Sequence, residues 1–361
     1  MDVDSVEETT TPTSPPLGPT KREGYVLRQT LQGHTRSVSS LSISPHGMLL
    51  ASSGSDRTIK IWNLASGSLK FTLKGHKLGV NQVAWSGDGR YVASASDDRT
   101  VRVWDCDTGA QVRLLQGHTS YVFCLAYNLQ CSLIVSGSFD ETIRLWDVKR
   151  GICHKTIPAH SEAVTGVDFN RDGDLIVSCS YDGLLRLWDT STGTCLKTLV
   201  HRDNAPLSHV KFTPSSSQIL ASSLDNTIRL WDIPNSRVLK TYTGNGYTNG
   251  KFACAADFTA PRELPASTSV GGQGTDEDPR KQEMRKRGLK QIFVVAGSED
   301  QRVYVWDLQS KKVDQILVGH RDVVIAIAAH PTLDIIASAS MDHDPSIKIW
   351  SLDDIPIKSE T

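Results

Sequence analysis

Seven of the eight tryptophans, Trp62, Trp104, Trp146, Trp188, Trp231, Trp306 and Trp350, follow one another at intervals of 42, 42, 42, 43, 75 and 44 residues. A period of this length means one supersecondary unit repeated, and it constrains the fold before any residue is read singly. Each unit runs from Gly-His through an apolar stretch, a Gly/Asp turn and a second apolar stretch to a closing Trp, as from Gly117 to Asp147. That is space for four short strands. In Ile143-Arg144-Leu145-Trp146, alternation puts Ile and Leu on one face and Trp on the other, with the arginine stem free to lie along the indole. A sheet that is apolar on both faces cannot bury itself alone; seven such sheets packed around an axis bury one another. The reading is therefore all-β, a seven-bladed propeller.

Closure is legible as well. The last unit ends at its third strand, Ser346 to Trp350, while Tyr25 to Leu31 reads as an unpaired strand ahead of the first Gly-His. This N-terminal strand is expected to complete blade seven. The propeller then spans 24–352, flanked by an N-terminal tail (1–23) and a C-terminal tail (353–361).

Bulk properties narrow the partners. A net charge of -1 and 22% charged residues offer no field for nucleic acid or a membrane surface. No run of 18 apolar residues exists, and the first residues lack the apolar segment of a secretory leader, so neither secretion nor membrane insertion is expected. Seven cysteines without paired spacing read as buried free thiols of a reducing compartment.

Gly-His, the turn Asp and Trp-Asp recurring together resemble the WD-repeat family over roughly residues 24 to 352. That resemblance implies a buried quartet of His, Ser or Thr, Asp and Trp in each blade. The register places His34, His76, His118 and His160 28 residues before their Trp, Ser52, Ser94, Ser136 and Ser178 ten before, and Asp56, Asp98, Asp140 and Asp182 six before. The indoles are Trp62, Trp104, Trp146 and Trp188. Blades five and six carry Arg202 and Asn245 in the His register and Ala221 and Ala296 in the Ser register, so these blades are expected to be the loosest.

A His/Ser/Asp set that repeats at fixed spacing is a device of the fold rather than a catalytic triad. The two HRD strings, at His201 to Asp203 and His320 to Asp322, lack every companion of a kinase loop. Met341 to Asp344 reads as a polar turn with a two-residue insertion rather than a metal site, and Gly244 to Gly250 precedes no helix that could hold a phosphate. No enzyme activity, cofactor or metal is expected.

Longer strings, among them Gly75 to Val80, Gly117 to Cys124 and Leu133 to Gly151, are similar to the WD repeat-containing protein 5 family, the propeller subunit of COMPASS-type methyltransferases acting on lysine 4 of histone H3. The resemblance implies a non-catalytic nuclear scaffold, itself a monomer within a hetero-complex. Its implied partners are a SET-domain methyltransferase subunit, a sister WD-repeat subunit and the histone H3 tail. It also implies two peptide sites. At the top opening Phe123 and Asp97 match the residues that take an arginine side chain, with Tyr121, Phe139 and Tyr181 as an aromatic wall. Phe252 stands for the family tyrosine, Ala255 for its second phenylalanine, and Asn81, Ser55 and Ala163 for its Ser, Ala and Pro. On the opposite face Leu230, Phe258 and Gln309 match a cleft for an acidic-hydrophobic segment, with Ser215 and Gln218 replacing Asn and Tyr.

The long interval holds an insertion, residues 259–290, expected to be largely disordered. Its first half is rich in Gly, Pro and Ser and its second half, Arg280 to Lys290, is basic; it reads as a solvated loop, with an import signal or docking arm as the functional alternative. Two other functions fit a propeller: recruiting substrates to a ubiquitin ligase, or serving another nuclear assembly such as RNA 3′-end processing.

Overall fold

The computed structural model describes residues 24–262 and 290–352. The two expected tails and residues 263–289, which make up most of the expected insertion, lie outside the described residues.

Among the described residues twenty-eight strands, β1 to β28 in chain order, form seven four-stranded antiparallel sheets. Six sheets use consecutive strands. The seventh has the order β1-β28-β27-β26, so β1 (Val26–Leu31) closes the blade made by β26 (Val324–Ala329), β27 (Ile335–Ser340) and β28 (Ile347–Ser351). Leu27 pairs with Trp350 and Leu31 with Ile347, which fastens the two ends of the propeller by backbone hydrogen bonds.

Between successive blades lie seven apolar clusters, one at each seam. Blade three shows how alternation produces them. Ile143 and Leu145 pack toward Val164, Phe169 and Trp188 of blade four. Trp146, on the other face of the same strand, packs with Ala93, Val101 and Leu115 of blade two. The last seam joins Leu31 and Ile349 of blade seven to Val38 and Leu50 of blade one.

Blade six begins with the shortest strand, β22 (Ala256–Phe258), paired with β23 (Phe293–Gly297). The hairpin does not end at Phe258. Thr259 donates its amide to the Phe293 carbonyl, and an antiparallel bridge joins Arg262 to Gln291. The insertion thus departs at Arg262, later than the expected boundary at 259, because these backbone groups continue the ladder below the blade. The thiols also differ from expectation. Cys106, Cys124, Cys179 and Cys254 are buried, but Cys131 and Cys153 are half-buried and Cys195 is exposed on an outer strand, where alternation turns it to solvent.

Candidate peptide-binding site

The residues that repeat must be separated from those that do not. In blade three His118 Nδ1 lies 2.9 Å from Asp140, its Nε2 lies 2.8 Å from Ser136 Oγ, and Trp146 Nε1 donates to the same Oγ at 2.8 Å. Blades one, two and four repeat this through His34, Ser52, Asp56 and Trp62, through His76, Ser94, Asp98 and Trp104, and through His160, Ser178, Asp182 and Trp188. The order carboxylate, imidazole, hydroxyl is that of a triad. Each of these serines, however, is fully buried and already holds an indole hydrogen, so no substrate carbonyl can reach it. The quartet fixes the Gly-His turn against the blade.

Blade seven carries a fifth quartet that the register did not locate. His320, Ser338, Asp344 and Trp350 make the same bonds, with His320 Nε2 2.7 Å from Ser338 Oγ and Trp350 Nε1 2.8 Å from it. The extra residues in Met341 to Asp344 move Ser338 to twelve residues before its Trp, and Asp344 is the quartet's acid rather than part of a plain polar turn.

Blades five and six replace the device differently. In blade six Tyr304 stacks on Trp306 at 5.5 Å, Tyr247 meets the same indole edge-on at 5.2 Å, and the indole donates to the Thr243 carbonyl. Asp300, the turn acid, bonds the Tyr304 hydroxyl instead of a histidine. Two tyrosines thus surround the indole where His and Ser are missing. Blade five keeps an Arg229–Asp225 ion pair and sets His201 edge-on to Trp231, but Trp231 Nε1 has no hydrogen-bond partner among the described residues.

The non-repeating residues gather at the mouth of the central channel. Phe123 lies on the inner strand β10 (Val122–Tyr127), and Phe139 lies in the turn of the same blade; their rings meet edge-on at 6.0 Å, with Tyr121 tilted against Phe139 at 6.3 Å. Tyr121, Phe139, Tyr181 and Phe252 all expose more than a third of their surface, which is unusual for large aromatics without a partner. Beside them Asn81 Nδ2 donates to Asp97 Oδ1 at 2.7 Å and to the Val122 carbonyl at 2.9 Å. This clamp orients Asp97 and leaves its Oδ2 without a hydrogen bond among the described residues. Ser55 is exposed and bonds Ser37. Ala163 is buried under the turn that holds Tyr181, where its carbonyl accepts the Tyr181 amide.

A cavity of about 120 Å³ opens here, lined by Phe123 and Asn81 on one side and by Ala253, Ala255 and Ile325 of blades six and seven on the other. Below it a second space of about 270 Å³ shares Leu41, Gln82, His209 and Ile327 with the first and reaches Asp168, Lys211 and Asp257. Aromatic faces, a free carboxylate oxygen and a narrow shaft suit a long cationic side chain with an apolar stem.

The opposite face fits its expected role less well. Leu230 is 2% exposed and Phe258 8%, both within the seam between blades five and six. They support a surface but offer little to a partner, since alternation on their strands directs them inward. Gln218 and Ser215 remain accessible, and Gln309 is exposed beside Lys240, whose ammonium holds the Gln309 side chain at 3.0 Å.

These features define a WD-repeat propeller, a fold that generally serves as a protein-interaction scaffold. The chain belongs to the family described as the WDR5 beta-propeller domain, whose profile matches residues 30–351. Individual relatives are similar over single stretches only. The WD repeat-containing protein 26 homolog of Arabidopsis thaliana is 44% identical over 69 residues, 19% of this chain and 11% of that protein. The WD repeat-containing protein WDS homolog from the same plant is 35% identical over 63 residues, 18% and 12% of the two chains. The small ribosomal subunit protein RACK1z, again from Arabidopsis thaliana, is 51% identical over 41 residues, 11% and 12%. Each match is about the length of one or two blades and covers far less than two thirds of the relative, so these matches speak for the repeat and not for a shared partner.

Proposed function

We propose that the chain is the propeller scaffold of a COMPASS-type histone H3 lysine-4 methyltransferase assembly in the nucleus. It holds peptide segments of a SET-domain subunit, a sister WD-repeat subunit and the histone tail. One observation carries the reading: the Phe123–Phe139 pair and the open oxygen of Asp97 stand together at the channel mouth, where an arginine side chain would find a π face and a carboxylate at once. The family match and the stretch shared with the WDS homolog support it. A second reading, an adaptor for another assembly such as a ubiquitin ligase, draws on Ala255, which leaves one wall of the cavity without an aromatic ring.

Affinity purification of the tagged chain followed by mass spectrometry separates the two. A SET-domain protein and a second propeller should be recovered, and Phe123→Ala with Asp97→Ala should lose the former. Recovery of a cullin adaptor in their place would overturn the proposal.

A further inference from the structure

A cavity larger than either of the two channel spaces lies outside the channel. It lies on the outer top of blade seven, about 470 Å³, lined by Thr30, Gln32, Arg321, His343, Ser346 and Lys348 among others. Comparison with the other blades shows why it is open. Two residues before the closing Trp of every blade except six, where Tyr304 stands, lies a cation, and in three blades it has a partner in its own blade: Lys60 Nζ donates to Thr72 Oγ1 at 3.2 Å, Arg102 donates to Gln111 at 2.6 Å and approaches Asp98, and Arg229 pairs with Asp225. In blade seven Lys348 pairs in register with Thr30 as Lys60 does with Thr72. Yet the side chain of Lys348, a residue only 8% exposed, makes no hydrogen bond or ion pair among the described residues.

The neighbouring acid, Asp344, keeps its charge and lines the cavity too, but its oxygens are hydrogen-bonded elsewhere. Asp344 Oδ2 faces His320 Nδ1 and accepts the Arg321 amide, and Oδ1 accepts the Ser346 hydroxyl. Asp322 is occupied by the amides of Val323 and His343. His34 is committed to Ser52 and Asp56. Besides the Asp344 carboxylate, the cavity is lined by Lys348, whose side chain has no partner among the described residues, with Arg321 and His343 exposed at its rim. An ammonium confined without a partner at the wall of a cavity is one to which an entering anion would supply the missing partner.

We infer that this cavity binds a phosphoryl group carried on a serine or threonine side chain of a partner peptide. A phosphoryl group offers several acceptor oxygens, enough for the Lys348 ammonium and for Arg321 at the rim, and the volume leaves space for the flanking peptide. Nucleic acid is disfavoured because it demands a row of phosphate contacts, whereas this is one pocket on a chain of net charge -1. The inference does not rest on the reading of the channel mouth.

Isothermal titration of the whole chain with inorganic phosphate, acetyl-Gly-phosphoserine-Gly-amide and its unphosphorylated form tests it. The phosphorylated tripeptide should bind roughly tenfold tighter than phosphate, and the unphosphorylated one should give no heat. Lys348→Met, which keeps the stem over Trp350, should weaken binding roughly tenfold or more, Lys348→Arg should restore it, and Lys60→Met should leave it unchanged. Binding that survives Lys348→Met, no binding of either phosphorylated probe, or a single-stranded oligonucleotide that outcompetes the tripeptide would each overturn it.

Discussion

Lys211 Nζ lies 2.5 Å from Asp257 Oδ1, so an ammonium of blade five and a carboxylate of blade six are paired inside the central channel. Asp257 Oδ1 also accepts the Phe258 amide, and Oδ2 accepts the Ala329 amide of blade seven at 3.0 Å. One carboxylate thus ties three successive blades. Asp257→Ala removes these bonds and strands the lysine. Breaking a fully buried pair costs about 3–5 kcal/mol, but the Lys211 side chain is 41% exposed to channel water, so about 2 kcal/mol is expected. Urea denaturation reads this directly, and an unchanged midpoint would show that the carboxylate does not hold the seam.

Blade five offers the opposite test. Trp231 Nε1 is buried without a partner among the described residues, and Ala221 stands at the register where Ser136 serves Trp146. Both residues face the cation two positions before their Trp, Ala221 opposite Arg229 and Ser136 opposite Arg144. Ala221→Ser should place a hydroxyl under the indole and raise stability by about 1 kcal/mol, whereas Ser136→Ala should lower it by about 2 kcal/mol because it orphans an imidazole and an indole together. If both substitutions move the urea midpoint the same way, the quartet is not what stabilises these blades.

Acid should unfold the propeller in two stages. Burial, helped by the Lys211 charge, holds His209 at about 4, and burial also lowers His160, His320 and His330. A base depressed on folding takes up more protons when unfolded, so stability is lost as pH falls from about 6.5 toward 4. Asp168 works the other way: burial raises it to about 6, so its protonation favours the fold as pH falls through that value. Four histidines against one carboxylate give a net loss. The second stage belongs to Asp56, Asp98, Asp140 and Asp344. Burial alone would raise them, but hydrogen bonds from the quartet histidine and a neighbouring hydroxyl outweigh it and lower all four. Their contribution is present above the ordinary Asp range near 3.8 and lost as pH falls through the lower folded values. The melting temperature should drop between pH 7 and 5 and again below pH 4; a flat profile from 7 to 5 would contradict the burial of the histidines.

The tryptophan register carried the blade number, the closing strand and four quartets, because repetition averages over local accidents of sequence. It failed where repetition is broken. Two extra residues in blade seven shifted His320 and Ser338 out of step with Trp350, and Tyr304 replaced a histidine by a different chemistry. Resemblance transferred positions but not exposure, so Leu230 and Phe258 entered as contact residues although they lie within a seam. The channel network was invisible for a topological reason: alternation tells which face of an inner strand a residue takes, not that Asp168, His209, Lys211 and Asp257 from three blades converge on one axis.

At the channel mouth the missing ring is the sharpest variable. Phe123 supplies one aromatic face, while Ala255 on the far wall has its amide bonded to the Ile325 carbonyl, so the backbone is held and only the side chain is short. Ala255→Phe would place a ring across from Phe123 and convert a one-sided contact into a sandwich. An aromatic face contributes about 0.5–2 kcal/mol to a desolvated cation, so binding of an arginine-bearing peptide should tighten roughly 2-fold to 30-fold. Phe123→Ala should weaken it by a similar factor, and Asp97→Asn should weaken it while steepening no salt dependence, because the charge partner of the guanidinium is gone. Fluorescence titration of the same peptide against the three variants reads all of this. Should Ala255→Phe weaken binding while Phe123→Ala leaves it untouched, the shaft is filled by something other than an arginine side chain, and the small residues at 253 and 255 are there to admit it.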